Sequence, residues 1–172
     1  VVNYPVLDGR RLVYNGGKIK SGTNGRILLA DTEEGVVAVK VFGGQVDESL
    51  LYQEERKIGS LRLYGEKGPV YYGRVSIDDR DGQVLDGVAM EFIRSLNVEE
   101  YLDRWFVPFL ITPKHLISIQ GLRDDLYNNG KSFVADDFHK SNLIITRGGL
   151  IRPVDMQVVN GMRRGSTQQR DQ

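Results

Sequence analysis

Apolar and polar positions in the first half of the chain fall into short runs, each closed by glycine. Val36-Val37-Ala38-Val39-Lys40-Val41-Phe42 is a β-branched run between Gly35 and Gly43-Gly44, the signature of a strand. Upstream, Leu12-Val13-Tyr14 and Ile27-Leu28-Leu29 flank Gly22-Thr23-Asn24-Gly25, so residues 10–42 read as strands joined by turns. The period then changes. Leu50, Leu51, Glu55, Ile58 and Leu61 recur at helical spacing. Val70-Tyr71-Tyr72 and the run from Val84 to Phe92 read as further strands, linked through Asp78-Asp79-Arg80-Asp81-Gly82.

The second half carries a different pattern. Thr112-Pro113 supplies an N-cap and a first-turn proline, Leu116, Ile119, Leu122 and Leu126 line one helical face, and Asn128-Asn129-Gly130 stops it. Phe133-Val134 leads into a loop. Asn142 to Thr146 and Leu150 to Val154 read as a hairpin around Arg147-Gly148-Gly149. The boundary between the halves is expected near Glu91 to Ser95, giving units of 1–93 and 94–172.

Composition narrows the function classes. Lys plus Arg and Asp plus Glu both number 23, so bulk charge offers no footprint for nucleic acid or an anionic membrane. Any phosphate site must be built locally. The absence of cysteine removes disulfides, thiolate catalysis and Cys-ligated metal, and suits a reducing compartment. No apolar run has the roughly 20 residues of a membrane span. The first residue is Val, so the native start is expected to be missing. The polar tail Arg163 to Arg170 reads as a frayed end.

Several residues are candidates for chemistry. Gly22 and Gly25 stand in a turn where the lack of side chains lets backbone N–H groups approach phosphate, and Ile27 follows where an apolar group covers a flat base. Lys40, set in an apolar strand, either snorkels to solvent or pairs inward with an acid. Glu55 shares a helical face with Leu51 and Ile58 and is the expected partner; Glu54, on the face of Leu50 and Lys57, reads as more solvated. Asp137-Phe138-His139-Lys140-Ser141-Asn142 puts an acid and an amide five residues apart in a loop before a strand, suited to orienting a hydroxyl and holding a metal. Asp155 follows the second strand of the hairpin, where it either caps a turn or joins Asn142 as a Mg²⁺ ligand. Trp105, Phe106 and Phe109 read as core, His115 as structural, and His115 with His139 makes no zinc site.

Together these stretches resemble the protein kinases. Ser21 to Ile27 resembles their glycine-rich loop, with Lys20 where the first glycine would be. Val37-Ala38-Val39-Lys40 resembles V-A-I-K, and Glu55-Arg56-Lys57-Ile58 the C-helix glutamate segment. Met90-Glu91-Phe92-Ile93 resembles a gatekeeper and hinge, Asp137 to Asn142 the catalytic loop, and Asp155-Met156-Gln157 stands at D-F-G. The order is that of the family, with 47 positions from Met90 to Asp137 and 18 from Asp137 to Asp155. There are departures. Ala135-Asp136 replaces His-Arg, Met156-Gln157 replaces Phe-Gly, and His139 makes the loop resemble those of aminoglycoside and choline kinases as well. With 17 residues after Asp155, a full activation segment has no room, so the chain is expected to be cut or minimal.

The resemblance implies an α+β, two-lobed protein-kinase-like fold: a β-rich N-lobe with one C-helix and a truncated, mostly helical C-lobe. It implies ATP and Mg²⁺ as cofactors. Adenine would lie against Ile27, Ala38 and Met90, bonding the backbone of Glu91 and Ile93, with Gly22, Gly25 and Lys40 on the phosphates. Glu55 would hold Lys40, Asn142 and Asp155 would hold Mg²⁺, and Asp137 would orient the acceptor hydroxyl. The small size resembles the kinases that pathogenic bacteria inject into host cells, above all the plant-pathogen family that phosphorylates the host ninety-kilodalton heat-shock chaperone. That implies a monomeric Ser/Thr protein kinase in a cytosol, with a protein substrate and neither nucleic acid nor membrane as partner. A small-molecule kinase and a non-catalytic pseudokinase remain the alternatives.

Overall fold

The computed structural model describes residues 4–22, 25–43, 46–65, 68–94, 96–97, 113–134, 137, 140–146 and 150–161. Strands β1 (Arg11–Gly22), β2 (Gly25–Thr32), β3 (Gly35–Val41), β4 (Tyr71–Asp78) and β5 (Val84–Glu91) form a closed barrel in the order β1-β2-β3-β5-β4. Its other pairs are antiparallel; closure comes from a parallel one, with Arg11, Leu12 and Val13 opposite Ser76, Ile77 and Asp78. Two-residue alternation sends Leu12, Leu28, Ala30, Val37, Val39, Val41, Val75 and Ile77 into the barrel, all buried. Before β1, Leu7 and Gly9 donate to the carbonyls of Tyr72 and Arg74 and cross β4 at Gly73. Gly73 has φ 134°, and a Cβ there would stand 2.6 Å from the Asp8 nitrogen, so only glycine permits this crossing.

Helix α1 (Glu48–Gly65) begins at Asp47, whose carboxylate accepts the Ser49 N–H at 3.0 Å as an N-cap. Its Leu51 and Ile58 lie on the outer barrel face, in one cluster with Ala38, Phe42, Val88 and Met90. One turn further on, Leu61 joins a different cluster, with Leu143, Ile145, Ile151 and Met156. One helix therefore seals the barrel and roots the second part of the chain.

That second part holds helix α2 (Pro113–Asn128) and short strands: β6 (Leu96–Asn97), β7 (Lys131–Phe133), β8 (Leu143–Ile145), β9 (Ile151–Pro153) and β10 (Val158–Asn160). The hairpin expected here is β8–β9, with Leu143, Ile144 and Ile145 opposite Pro153, Arg152 and Ile151. Strand β6 pairs with β8, and β7 pairs with β10, a two-stranded sheet that the sequence pattern did not announce. Helix α2 buries Leu122 and Leu126, but Leu116 is exposed, so its apolar face is shorter than expected. Ser118 is buried instead, accepting the Ile151 N–H at 3.0 Å.

The expected two-lobed protein-kinase-like fold is corrected by this architecture. The β-rich part is a closed five-stranded barrel, because β1 is long enough to pair with both β2 and β4. The rest is not mostly helical: among the described residues α1 and α2 are the two α-helices, and the segments around α2 are strands of two or three residues and a 3₁₀ turn. The chain is α+β. Among the described residues no helix is long and apolar enough to cross a membrane.

Candidate functional site

Strand β3 runs between β2 and β5, and its two faces part the chemistry. Val37, Val39 and Val41 fill the barrel, so Ala38 and Lys40 point outward, beneath α1. Lys40 is 6% exposed and does not snorkel to solvent. Its Nζ donates to Glu54 Oε1 at 2.9 Å and to Asp155 Oδ1 at 2.7 Å. Burial alone pushes the ammonium pKa down, but the two carboxylates overcome it and hold Lys40 above its ordinary value.

Glu54, not Glu55, is thus the partner of Lys40. At about 100° per residue, Glu54 lies roughly 30° from the centre of the Leu51–Ile58–Leu61 stripe and Glu55 roughly 70° away. Glu54 is buried with that stripe. Glu55 sits at its edge, accepting from Arg74 Nη2 at 2.8 Å and from the Tyr71 hydroxyl. Chiefly Arg74 keeps the Glu55 carboxyl below its ordinary pKa, while burial and Glu55 raise that of the Tyr71 hydroxyl.

Asp155 follows β9 with φ 51°, a left-handed conformation that aspartate tolerates better than most residues. The turn brings its Oδ1 to Lys40 and also to Lys57 Nζ, 2.6 Å away. Burial works to raise the Asp155 pKa, but the two ammonium groups win and leave it below its ordinary value. Asn142 ends a 3₁₀ turn (Lys140–Asn142), and its Nδ2 donates to the carbonyls of Asp137, at 3.0 Å, and Asp155, at 3.2 Å. Val154 donates its N–H to the Asn142 carbonyl at 2.8 Å, and Asp137 Oδ2 accepts the Gln157 N–H at 2.8 Å. These bonds stitch Asp137, Asn142 and Asp155 into one unit.

A cavity of about 810 Å³ opens beside this unit, lined among others by Gly25, Lys40, Lys57, Asp137 and Gln157; Asn142 and Asp155 adjoin its wall through their bonds to Asp137 and Lys40 and do not themselves line it. Gly25 lets the start of β2 lie close against the end of β3 here, since a Cβ would stand 2.7 Å from the Val41 carbonyl oxygen. Gly22 faces Gly25 across the strand pair; the turn residues 23 and 24 lie outside the described residues. The expected base-covering residues do not line this cavity. Ala38 and Met90 are buried together with Ile27 packed against them, and Ile93 is buried as well. The Glu91 N–H is spent on the Val70 carbonyl at 2.8 Å, and its carboxylate is gripped by both Arg152 nitrogens at 2.7 Å. Expectations for Trp105, Phe106, Phe109, Ala135, Asp136 and His139 fall outside the described residues.

Sequence reasoning overlooked Lys57 and Arg152. Lys57 stands one turn from Glu54 on the same side of α1, a spacing that would have exposed it once Glu54 was chosen. Arg152 sat inside a strand read only for its apolar neighbours. The sequence matches no protein-family model and no curated protein.

Proposed function

We propose that the chain is an ATP-dependent phosphotransferase whose acceptors are Ser or Thr hydroxyls of a protein. The observation that carries this reading is a buried lysine held by two carboxylates at a cavity that Asp137 also lines. Lys40, fixed by Glu54, presents a point charge to phosphate oxygens. Asp137, anchored through one oxygen to the Gln157 N–H, keeps a second oxygen to orient a hydroxyl.

The donor set fits Mg²⁺–nucleotide. Asp155 already draws two cations to one carboxylate oxygen, and the Asn142 amide lies against its carbonyl. A single carboxylate suits Mg²⁺, which takes one or two protein carboxylates and keeps waters and phosphate oxygens as its other ligands. Asp155 and Asn142 are the residues that would hold it. Bound Mg²⁺–ATP would supply the phosphoryl group and neutralise its charge during transfer. An enzyme that uses ATP works where ATP is, so a cytosolic site belongs to this proposal.

A nucleotide-binding module without transfer is the second reading. The observation in its favour is that Asp137 and Asp155 both have a carboxylate oxygen engaged within the chain. Incubation of a cell lysate with radiolabelled ATP, with and without the protein, separates the readings. A labelled protein band supports the first, a labelled small molecule redirects the acceptor class, and binding without label supports the second.

A further inference from the structure

Asp155 Oδ1 accepts two ammonium groups at once, but the two lysines are held differently. Lys40 is 7% exposed along its side chain and has Glu54 as a second carboxylate, 2.9 Å away. Lys57 is 23% exposed, its one ion pair among the described residues is with Asp155, and it lines the cavity. A cation arriving at Asp155 would repel both. Lys40 is boxed in by the barrel and α1 and keeps Glu54 for compensation. Lys57 projects from a helix surface on a flexible four-carbon stem and can swing into the cavity.

We propose that Lys57 is an internal stand-in for the divalent cation: it holds the Asp155 carboxylate in position while no metal is bound, and metal must displace it to bind. This rests on the reading of Asp155 as a metal ligand given above. Lys57 is then a positioning residue that sets the metal concentration at which the site fills. Removing its charge should tighten metal binding, the opposite of what loss of an ordinary structural contact does.

The test uses Mn²⁺ alone, without nucleotide, titrated into the protein and followed by electron paramagnetic resonance of free Mn²⁺ and by thermal shift. Lys57→Gln should lower the Mn²⁺ dissociation constant by at least about 3-fold, the scale of a partly exposed ion pair. Lys57→Met should do the same, and Lys57→Arg should restore the weaker parent value. Adding Asp155→Asn to Lys57→Gln should abolish the gain. Equal or weaker Mn²⁺ binding by Lys57→Gln and Lys57→Met overturns the proposal, as does tightening that survives Asp155→Asn. Tightened Mn²⁺ binding in a protein that transfers no phosphate leaves the role of Lys57 standing and removes the phosphotransferase reading instead.

Discussion

Arg152 grips the Glu91 carboxylate with both terminal nitrogens at 2.7 Å, tying β9 of the second part to the last strand of the barrel. The same guanidinium donates to the Gly68 carbonyl at 2.9 Å, and Glu91 accepts the Val70 N–H at 3.2 Å. Burial alone would raise the Glu91 pKa, but Arg152 holds it below its ordinary value. The pair is thus a charged clasp between two hydrophobic clusters that otherwise share mainly α1.

Arg152→Ala should therefore cost more than a surface charge. It takes the bidentate cation from a half-buried carboxylate, leaving it the Val70 N–H, and leaves the Gly68 carbonyl the longer Arg62 bond at 3.3 Å; the loss of the paired charge costs about 3 kcal/mol of folding stability. Arg152→Lys should recover only part of this, because an ammonium cannot reproduce the planar fork. Urea denaturation of the three proteins measures it. A loss under about 1 kcal/mol, the range of exposed pairs, would show that the clasp does not join the parts.

Glu54→Gln and Glu55→Gln separate the two acids of α1. Glu54→Gln keeps volume but removes one of the charges that fix Lys40, so phosphoryl transfer should fall by at least about 10-fold. Glu55→Gln weakens the contacts to Arg74 and Tyr71 at the barrel rim, so transfer should stay within about 2-fold of the parent. Steady-state rates at saturating ATP decide between them; the reverse ranking would restore Glu55 as the partner.

These two acids show how far the sequence could be read. The helical period placed a carboxylate near Lys40 but pointed to Glu55, on the face of Leu51 and Ile58; Glu54 makes the pair because it lies nearer the angular centre of the Leu51–Ile58–Leu61 stripe. The β-runs and the β8–β9 hairpin were legible because their side-chain alternation is local. Barrel closure was not, because three parallel pairs between Arg11–Val13 and Ser76–Asp78 leave no mark on either strand's pattern. The same holds for β7 with β10, where three residues are too few for a periodicity. Lys40, Asp137, Asn142 and Asp155 were legible as chemistry and are joined by one chain of hydrogen bonds, with Lys40 and Asp137 on the cavity wall and Asn142 and Asp155 behind it. Ile27, Ala38 and Met90 were legible as apolar, and apolarity does not distinguish a base-covering surface from a core.

The ion pairs of Asp155 predict a pH dependence. Its pKa is lowered from the ordinary 3.8 on folding, so its contribution to stability is complete above that value. The contribution is lost as pH falls through the lower folded value. Lys40 acts at the opposite end: its pKa is raised from 10.5, so its contribution is present below that value and lost as pH rises through the higher folded one. Urea midpoints between about pH 2 and pH 8 should fall less steeply on the acid side for Asp155→Asn than for the parent. Superimposable acid limbs would show that the Lys40 and Lys57 contacts do not persist in solution.

Asp137 provides the sharpest distinction between an enzyme and a binding module. Its Oδ2 accepts the Gln157 N–H, so truncation to alanine would also unpin the segment that carries Asp155. Asp137→Asn avoids this, because the amide oxygen still accepts that bond while the carboxylate charge is gone. A residue that orients the acceptor hydroxyl matters after nucleotide has bound, so affinity for Mg²⁺–ATP should change little. Turnover should fall by at least about 10²-fold, the size expected of a positioned acid–base group. Asp155→Asn should behave differently, losing turnover together with the Mg²⁺-dependent part of nucleotide affinity. Calorimetry and steady-state kinetics on both variants, each first shown to be folded by circular dichroism, measure the split. If Asp137→Asn transfers phosphate within a few-fold of the parent, Asp137 has no role in the chemical step. If the parent itself binds Mg²⁺–ATP tightly yet labels no acceptor, the cavity is a nucleotide-binding site and the binding module is the function.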